Sequence, residues 1–335
     1  MMKTKVSILL ILFLLVTGLS YAKERQGIVT FKINLTAQKD SDRARLWLPY
    51  PLSNKLQRIE DVKIDGNFSS SVIYHEPKSG AIYLFSEWQS VSGKGSLELS
   101  FKVKAEERMV KDLKDTNAPI PDEIKKYLKP NWWVPTNGEI KEIANKITKD
   151  KKRILEKSRA IYDWVVENTH RDPRVKGCGL GIVEQMLAKR SGKCVDISSI
   201  YIALARAAGV PARELFGIRL GKKAEEDITG GFHCWAEFYL PGTGWVPVDP
   251  ADVRKMMLDK NLSLEEAKPY REYYFGAVDE YRIVLEKSGR GLNLLPLQEA
   301  GPLNYLMYPY AEVNGKPLDY FEPEEFSYSV HFREI

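Results

Sequence analysis

Three residues that lie apart in the sequence have the side-chain types of a catalytic cysteine, a base and a carboxylate that orients the base. The cysteine is Cys194. After Cys194, apolar residues recur at offsets of three and four, which predicts an amphipathic helix that Gly209 and Pro211 end. A thiol at a helix N-terminus lies at the positive end of the helix dipole, which favours the thiolate. The pattern therefore favours Cys194 as a nucleophile. The alternative for an isolated cysteine is a buried structural thiol.

A predicted β-hairpin supplies an imidazole and a carboxylate. The strand-like run 232–240 contains His233, the turn Pro241-Gly242-Thr243-Gly244 follows, and the run 245–250 contains Asp249. Both residues lie near the strand ends that are remote from the turn, so antiparallel pairing is expected to place them side by side. A thiolate, an imidazole base and a carboxylate that orients the imidazole meet the requirements of a catalytic triad.

These motifs resemble the core of the bacterial transglutaminase-like superfamily. The resemblance lies in Gly-x-Cys at Cys194, in Ala-x-Gly-Val-Pro-Ala-Arg at the helix end, in His-x-Trp-x-Glu from His233, and in Gly-Trp-x-x-x-Asp-Pro around Asp249. It implies a papain-like fold with Cys194 as nucleophile, His233 as base and Asp249 as the orienting residue. Cys234 departs from the family pattern, in which a small residue is expected. It should leave the triad undisturbed, because adjacent strand residues point to opposite faces.

The chain begins with a predicted secretory signal peptide, residues 1–22. Two lysines precede the apolar run from Val6 to Leu19, and Ser20-Tyr21-Ala22 places small residues at the cleavage positions. The mature protein is expected to begin at Lys23 and to be periplasmic or secreted. The apolar run is too short to span a membrane well, and signal cleavage would remove it. We therefore expect no stable membrane span in the mature protein. An uncleaved anchor is the alternative.

The elements that must position the three residues belong to a predicted two-domain chain. The 335 residues suffice for two domains, and 44% hydrophobic with 28% charged residues is ordinary for a globular protein. Alternating runs separated by turn formers predict a β-sandwich domain over residues 23–108. The four predicted strands are 28–35, 44–49, 81–85 and 96–103.

A charged connector with several prolines, residues 109–137, follows the predicted sandwich and contains a short helix near 122–128. Residues 138–290 then form the predicted catalytic domain, and residues 291–335 a strand-rich C-terminal extension. The predicted fold class is thus α+β, a β-sandwich followed by a papain-like transglutaminase core with helices packed on an antiparallel sheet. The sequence leaves open whether the last strand completes the catalytic sheet or returns to the sandwich.

Charge and cysteine content limit the partners and cofactors. The net charge of +5 falls to +3 without the signal peptide, because that segment has two lysines and no acidic residue. This excess is too small to argue for nucleic acid or an anionic membrane. Three cysteines leave one unpaired, so Cys178 and Cys234 either form a bridge or are both free. No cofactor and no metal are expected, since a zinc site made of His233 and the three cysteines lacks paired ligand spacing.

The predicted function is that of a cysteine protease, amidase or acyltransferase that attacks amide bonds. Cys194 would form a thioester acyl-enzyme and pass the acyl group to water or to an amine, with a protein or peptide, such as a cell-wall peptide, as substrate. The Cys194 backbone N–H is the natural first oxyanion donor. The second donor is left open, with Gln185 and Trp164 as the weaker candidates. The alternative is a catalytically silent module that binds peptide or cell-wall material.

Overall fold

The computed structural model describes residues 23–36, 43–89, 94–110, 112–116, 118–324 and 326–335. The predicted signal peptide, residues 1–22, lies outside the described residues. Within the described ranges, the helices are all too short or too polar to span a bilayer.

The N-terminal region is built from strands, as predicted. These are β1 (Glu24–Thr36), β2 (Ala44–Pro49), β3 (Gln57–Gly66), β4 (Ser70–His75), β5 (Ile82–Trp88), β6 (Lys94–Glu106) and β7 (Arg108–Met109). A 3-10 helix at Asp122–Leu128 then occupies the place of the predicted short helix.

Helices and strands alternate in the rest of the chain. The helices are α1 (Gly138–Thr148), α2 (Ile154–Asn168), α3 (Val183–Lys189), α4 (Cys194–Ala207), α5 (Pro250–Lys260) and α6 (Lys268–Tyr273). The strands are β8 (His170–Arg171), β9 (Ser191–Gly192), β10 (Ala212–Arg219), β11 (Glu225–Asp227), β12 (Phe232–Leu240), β13 (Gly244–Val248), β14 (Ala277–Val278), β15 (Arg282–Glu286), β16 (Tyr310–Val313), β17 (Lys316–Pro317) and β18 (Phe326–Glu334).

Two five-stranded sheets enclose a shared apolar core. Their strand orders are β11-β18-β1-β6-β3 and β17-β16-β2-β5-β4. In the first sheet, Phe31 of β1 lies opposite Leu99 of β6 and Val330 of β18. Every second residue of β1 from Val29 to Leu35 is buried, which is the period of a strand that turns one face to the core.

The C-terminal strands return to the N-terminal sandwich, which answers the question that the sequence left open. β18 pairs antiparallel with β1 from Gly27 to Leu35, and β16 pairs with β2. The sequence pattern misses β3 and β4, because most of their residues are exposed or half-buried and so give little apolar alternation.

A four-stranded antiparallel sheet, in the order β13-β12-β10-β15, packs against the helices of the second half. The central helix α4 contacts β10 and β12 as well as α1, α2, α3 and α5. Every residue of α4 except Arg206 is buried, so α4 is an interior helix that is fixed from all sides. This arrangement confirms the predicted α+β class.

Candidate active site

Cys194 is the first residue of α4, and its side chain is buried. Two hydrogen bonds tie the preceding loop to the first helical turn. The Gly181 N–H donates to Asp196 Oδ1 at 2.8 Å, and the Val195 N–H donates to the Cys178 carbonyl at 2.9 Å. The loop and the helix start are therefore held together. The Cys194 N–H belongs to the first turn, where the helix itself supplies no acceptor.

The hairpin of β12 and β13 brings His233 and Asp249 together, as predicted. His233 Nε2 lies 2.7 Å from Asp249 Oδ2. Asp249 is also the N-cap of α5, where its Oδ1 accepts the Asp252 N–H at 2.8 Å. One carboxylate oxygen therefore caps a helix while the other holds the imidazole. Because Nε2 is engaged, Nδ1 is the ring nitrogen left to interact with the Cys194 thiol, whose pKa the neighbouring His233 lowers.

The surroundings of Cys194 and His233 favour a thiolate–imidazolium pair. Burial opposes ionisation of Cys194, but hydrogen bonds from Cys178 and Cys234 and the charge of His233 outweigh it and hold the pKa of Cys194 well below its ordinary value. Burial and Arg219 disfavour the imidazolium, yet Asp249, Asp252 and Cys194 together raise the pKa of His233. Each charge therefore stabilises the other.

Cys178 and Cys234 place their thiols around the Cys194 sulfur, and all three cysteines are free. The hydrogen bond to Cys194, followed by burial, raises the pKa of Cys178 well above its ordinary value. Burial, followed by the hydrogen bond to Cys194, does the same to the pKa of Cys234. Both thiols therefore face the Cys194 sulfur as neutral groups, and the Cys178 Sγ also donates to the Phe232 carbonyl at 3.2 Å. The sequence does not predict this role of Cys234, which contacts the nucleophile instead of lying apart from it.

A buried ion cluster lies behind the imidazole. Arg282 donates Nη1 to Asp249 Oδ2 and Nη2 to Asp252 Oδ2, each at 2.5 Å, and Arg219 donates to Asp252 Oδ1 at 2.5 Å. Burial favours a neutral Asp252, but the two guanidinium groups outweigh it and lower the pKa of that carboxyl. The sequence pattern does not point to Arg219, Asp252 or Arg282. Arg219 lies opposite Arg282 because β10 pairs with β15, and Asp252 comes from the first turn of α5.

The same cluster contains the three residues that could best hold a metal ion. The ligand atoms of His233, Asp249 and Asp252 lie within 4.8 Å of one another, and no other such group of His, Cys, Asp and Glu occurs in the described ranges. Both carboxylates already accept hydrogen bonds from Arg282, whose charge repels a cation. These residues therefore fit an imidazole-orienting network better than a metal site.

A cavity of about 430 Å³ has Cys178 and Lys193, the residue before the nucleophile, in its wall, while Cys194 itself lies buried behind them. Six of the other thirteen wall residues are aromatic, and the Cys178 Sγ donates to the carbonyl of one of them, Phe232, at 3.2 Å. Gln185 lines a different cavity, and Trp164 stacks on the Arg190 guanidinium. The described contacts therefore do not bring either predicted oxyanion candidate to Cys194.

Comparison with known sequences matches the part of the chain that contains this site to a protein family. The family model of the transglutaminase-like superfamily matches residues 141–250, a range that includes Cys194, His233 and Asp249. An uncharacterized protein of Haemophilus influenzae is 37% identical over 314 residues, which cover 85% of this chain and 85% of that protein. A protein-glutamine gamma-glutamyltransferase of Pseudomonas aeruginosa is 32% identical over 78 residues, which cover 21% of this chain and 11% of that protein.

Comparison with solved structures supports the same fold over most of the chain. The structure of a proposed cysteine protease from Cytophaga hutchinsonii superposes with a TM-score of 0.53 and 15% identity, over 93% of this chain and 92% of that one. At this identity, the likeness concerns the fold alone. It extends beyond the catalytic core to the region of the sandwich.

Proposed function

Because the chain belongs to the transglutaminase-like superfamily, we propose that it is an exported cysteine enzyme that attacks amide bonds through Cys194, His233 and Asp249. One observation carries this proposal. The Cys194 thiol at the start of a buried helix has its pKa lowered by the charge of the neighbouring His233, whose Nε2 lies 2.7 Å from Asp249 Oδ2. A nucleophile, a base and an orienting carboxylate are the parts that acyl transfer through a thiolate needs.

In the first half of the reaction, the Cys194 thiolate attacks the carbonyl carbon of the amide. The negative charge that develops on the carbonyl oxygen is stabilised by the Cys194 backbone N–H at the positive end of α4. The C–N bond then breaks, and the His233 imidazolium gives its proton to the leaving amine. The product of this half is a thioester on Cys194 and a neutral His233.

In the second half, water or an amine attacks the thioester. Neutral His233 takes a proton from the attacking group, the C–S bond breaks, and the Cys194 thiolate is restored. Asp249 keeps Nε2 of His233 engaged through both halves, so that Nδ1 always faces the sulfur. Water as acceptor makes the enzyme a protease or amidase, whereas an amine makes it an acyltransferase.

The proposed acyl donor is a protein or peptide amide that is accessible outside the cytoplasm. Support for a glutaminyl donor comes from the name of the Pseudomonas aeruginosa relative, over its short matched segment. Support for export comes from the charged start, the apolar run and the small residues before Lys23. Cell-wall peptides are donors that such a location offers. Amino-terminal sequencing of the protein from a periplasmic or culture fraction should begin at Lys23, and a cytoplasmic full-length chain would contradict export.

The test is the detection of an acyl adduct by intact mass. The purified mature protein is incubated with cell-wall peptides and, separately, with a glutamine-containing protein. We expect a mass increase that maps to Cys194, disappears with hydroxylamine, and is absent in Cys194→Ala. Cys234→Ala separates loss of the nucleophile from loss of a neighbouring thiol: it should still form the adduct, but more slowly, because Cys234 helps to lower the pKa of Cys194.

The same experiment separates the enzyme from a catalytically silent binding module. A silent module would retain the peptides without an adduct and would show equal retention in Cys194→Ala. Adding a primary amine then distinguishes the two reactions. An acyltransferase joins the amine to the donor, whereas a hydrolase releases the same free acid with or without it.

A further inference from the structure

The cavity whose wall contains Cys178 and Lys193 carries positive charge that its other wall residues do not neutralise. Arg171 and Lys193 line this space of about 430 Å³, and none of the described lining residues is Asp or Glu. Within the part of the chain that the structure describes, neither cation forms an ion pair. An unneutralised cationic cavity attracts anions, more strongly still where its walls have a low dielectric.

Arg171 is held rigidly at this position. It lies in β8, which pairs parallel with β9, and Arg171 is opposite Gly192, two residues before the nucleophile. The neighbouring Asp172 N–H donates to the Gly192 carbonyl at 3.0 Å. Arg171 Nη1 is buried and has no hydrogen-bond partner. A buried guanidinium nitrogen is normally satisfied, so Arg171, a residue of the cavity wall, retains an unused donor.

The acidic residues nearest in sequence are engaged elsewhere. Both oxygens of Asp172 accept hydrogen bonds from Arg174, each at 2.9 Å. Asp196 accepts the backbone N–H groups of Gly181 and Lys193. Neither carboxylate forms an ion pair with Arg171, whereas Asp172 is close enough to Lys193 for that charge to help lower its pKa, after the larger effect of the hydrogen bonds from Arg174.

The C-terminal segment supplies an apolar wall opposite these cations. Tyr308, Tyr320, Phe321 and Tyr328 line the cavity, and Phe232 of β12 completes the aromatic surface. The volume lies within the range of small-ligand sites. Aromatic walls with two convergent cations suit a ligand that has an apolar stem and an anionic end.

We propose that this cavity is the acyl-donor subsite and that Arg171 and Lys193 bind a carboxylate that the donor carries close to its scissile amide. The proposal rests on the proposed function and names its substrate class, which is acidic peptides. The N-terminus of α4 adds to the preference for an anion at the same place. The carboxylate can belong to an acidic side chain or to a main-chain terminus, because the two have the same chemistry.

The test compares two alkylating reagents of similar size, iodoacetate and iodoacetamide. Both react with the same thiolate, so the ratio of their rates cancels the thiolate fraction and measures the preference for a negative charge. Trypsin separates the three cysteines into residues 177–189, 194–206 and 224–254, so the rate at Cys194 is measured by mass spectrometry. We expect Arg171→Gln to lower the iodoacetate to iodoacetamide ratio at Cys194 about tenfold, the size of one lost charged hydrogen bond.

Control variants make the result specific to the cavity. Arg171→Lys keeps the charge and should retain most of the ratio. Lys189→Gln removes an exposed cation of α3 and should leave the ratio unchanged. Lys193→Gln should lower the ratio and replaces Arg171→Gln if that variant does not fold.

An equal ratio in wild type, Arg171→Gln and Lys193→Gln overturns the anion subsite while leaving the enzyme proposal intact. Failure of both reagents to label Cys194 contradicts the enzyme proposal itself.

A second arm identifies the source of the carboxylate. Glutamine dipeptides are tested for protection of Cys194 against iodoacetamide, as acid and amide pairs. One pair differs in an aspartyl or asparaginyl side chain, and the other in a free or amidated C-terminus. The acid member of one pair should protect wild type better than its amide, and the difference should vanish in Arg171→Gln. If neither acid protects better than its amide, the cavity does not take a peptide carboxylate and the proposal falls.

Discussion

Arg282 donates to the same oxygen of Asp249 that holds the imidazole of His233. The Nη1–Oδ2 distance is 2.5 Å and the Nε2–Oδ2 distance is 2.7 Å. Arg282 is completely buried and bridges to Asp252 with its second nitrogen. The orientation of the imidazole therefore depends on a residue of β15, in addition to the hairpin that carries His233 and Asp249.

Removal of the Arg282 charge should destabilise the protein strongly. Arg282→Met retains the length of the side chain but leaves Asp249 and Asp252 without their common cation. We expect the free energy of unfolding to fall by about 3–5 kcal/mol, the cost of breaking a buried ion pair from one side. Lys255→Met is the control. Its partner Asp259 is on the surface, so the loss should be about 0–1 kcal/mol. Urea denaturation measures both, and equal losses would contradict a buried, coupled cluster.

Cys194 should be the most reactive thiol of the chain. Burial would raise the pKa of Cys194, but Cys178, Cys234 and His233 together lower it. The pKa values of the other two thiols are raised. Iodoacetamide near neutral pH should label the peptide 194–206 first, and Cys194→Ala should abolish the fast phase. Faster labelling of Cys178 in the folded protein would count against Cys194 as the nucleophile.

His233 and Asp249 should have separable effects on the pH dependence of Cys194 alkylation. Loss of the imidazolium in His233→Ala should move the apparent pKa of Cys194 up toward the unperturbed thiol value of about 8.5 and slow alkylation below that pH. Asp249→Asn keeps the helix cap but allows the wrong imidazole tautomer, so its profile should shift in the same direction by less. Profiles of both variants that superimpose on wild type would show that the triad assignment is wrong.

We expect the Cys178 thiol, which donates to the Phe232 carbonyl in the structure, to donate to the Cys194 thiolate when that thiolate forms. Cys178→Ala removes the donor and should raise the pKa of Cys194, which lowers the alkylation rate near neutral pH. Cys178→Ser keeps an O–H donor and should retain more of the wild-type rate, because its hydroxyl can still bond the thiolate. Alkylation that is quenched at timed intervals, followed by peptide mapping, measures the rate at Cys194 in both variants. Identical rates for alanine and serine would indicate that Cys178 contributes packing alone.

The sequence by itself determines the local parts of the site. The three- and four-residue spacing of apolar side chains specifies α4 and places Cys194 at its first position, since helix periodicity is a property of neighbouring residues. The turn between Leu240 and Gly244 specifies the hairpin of β12 and β13, and this register brings His233 to Asp249. The catalytic role of these residues stays a prediction.

Only the tertiary structure decides what surrounds them. Arg282 reaches Asp249 because β15 pairs with β10, and Cys234 reaches Cys194 because α4 packs on β12. Tyr308 lines the cavity because the C-terminal strands return to the N-terminal sandwich. These contacts join residues that are tens of residues apart. No periodicity or spacing in the chain marks them, because they follow from sheet pairing and core packing between whole elements.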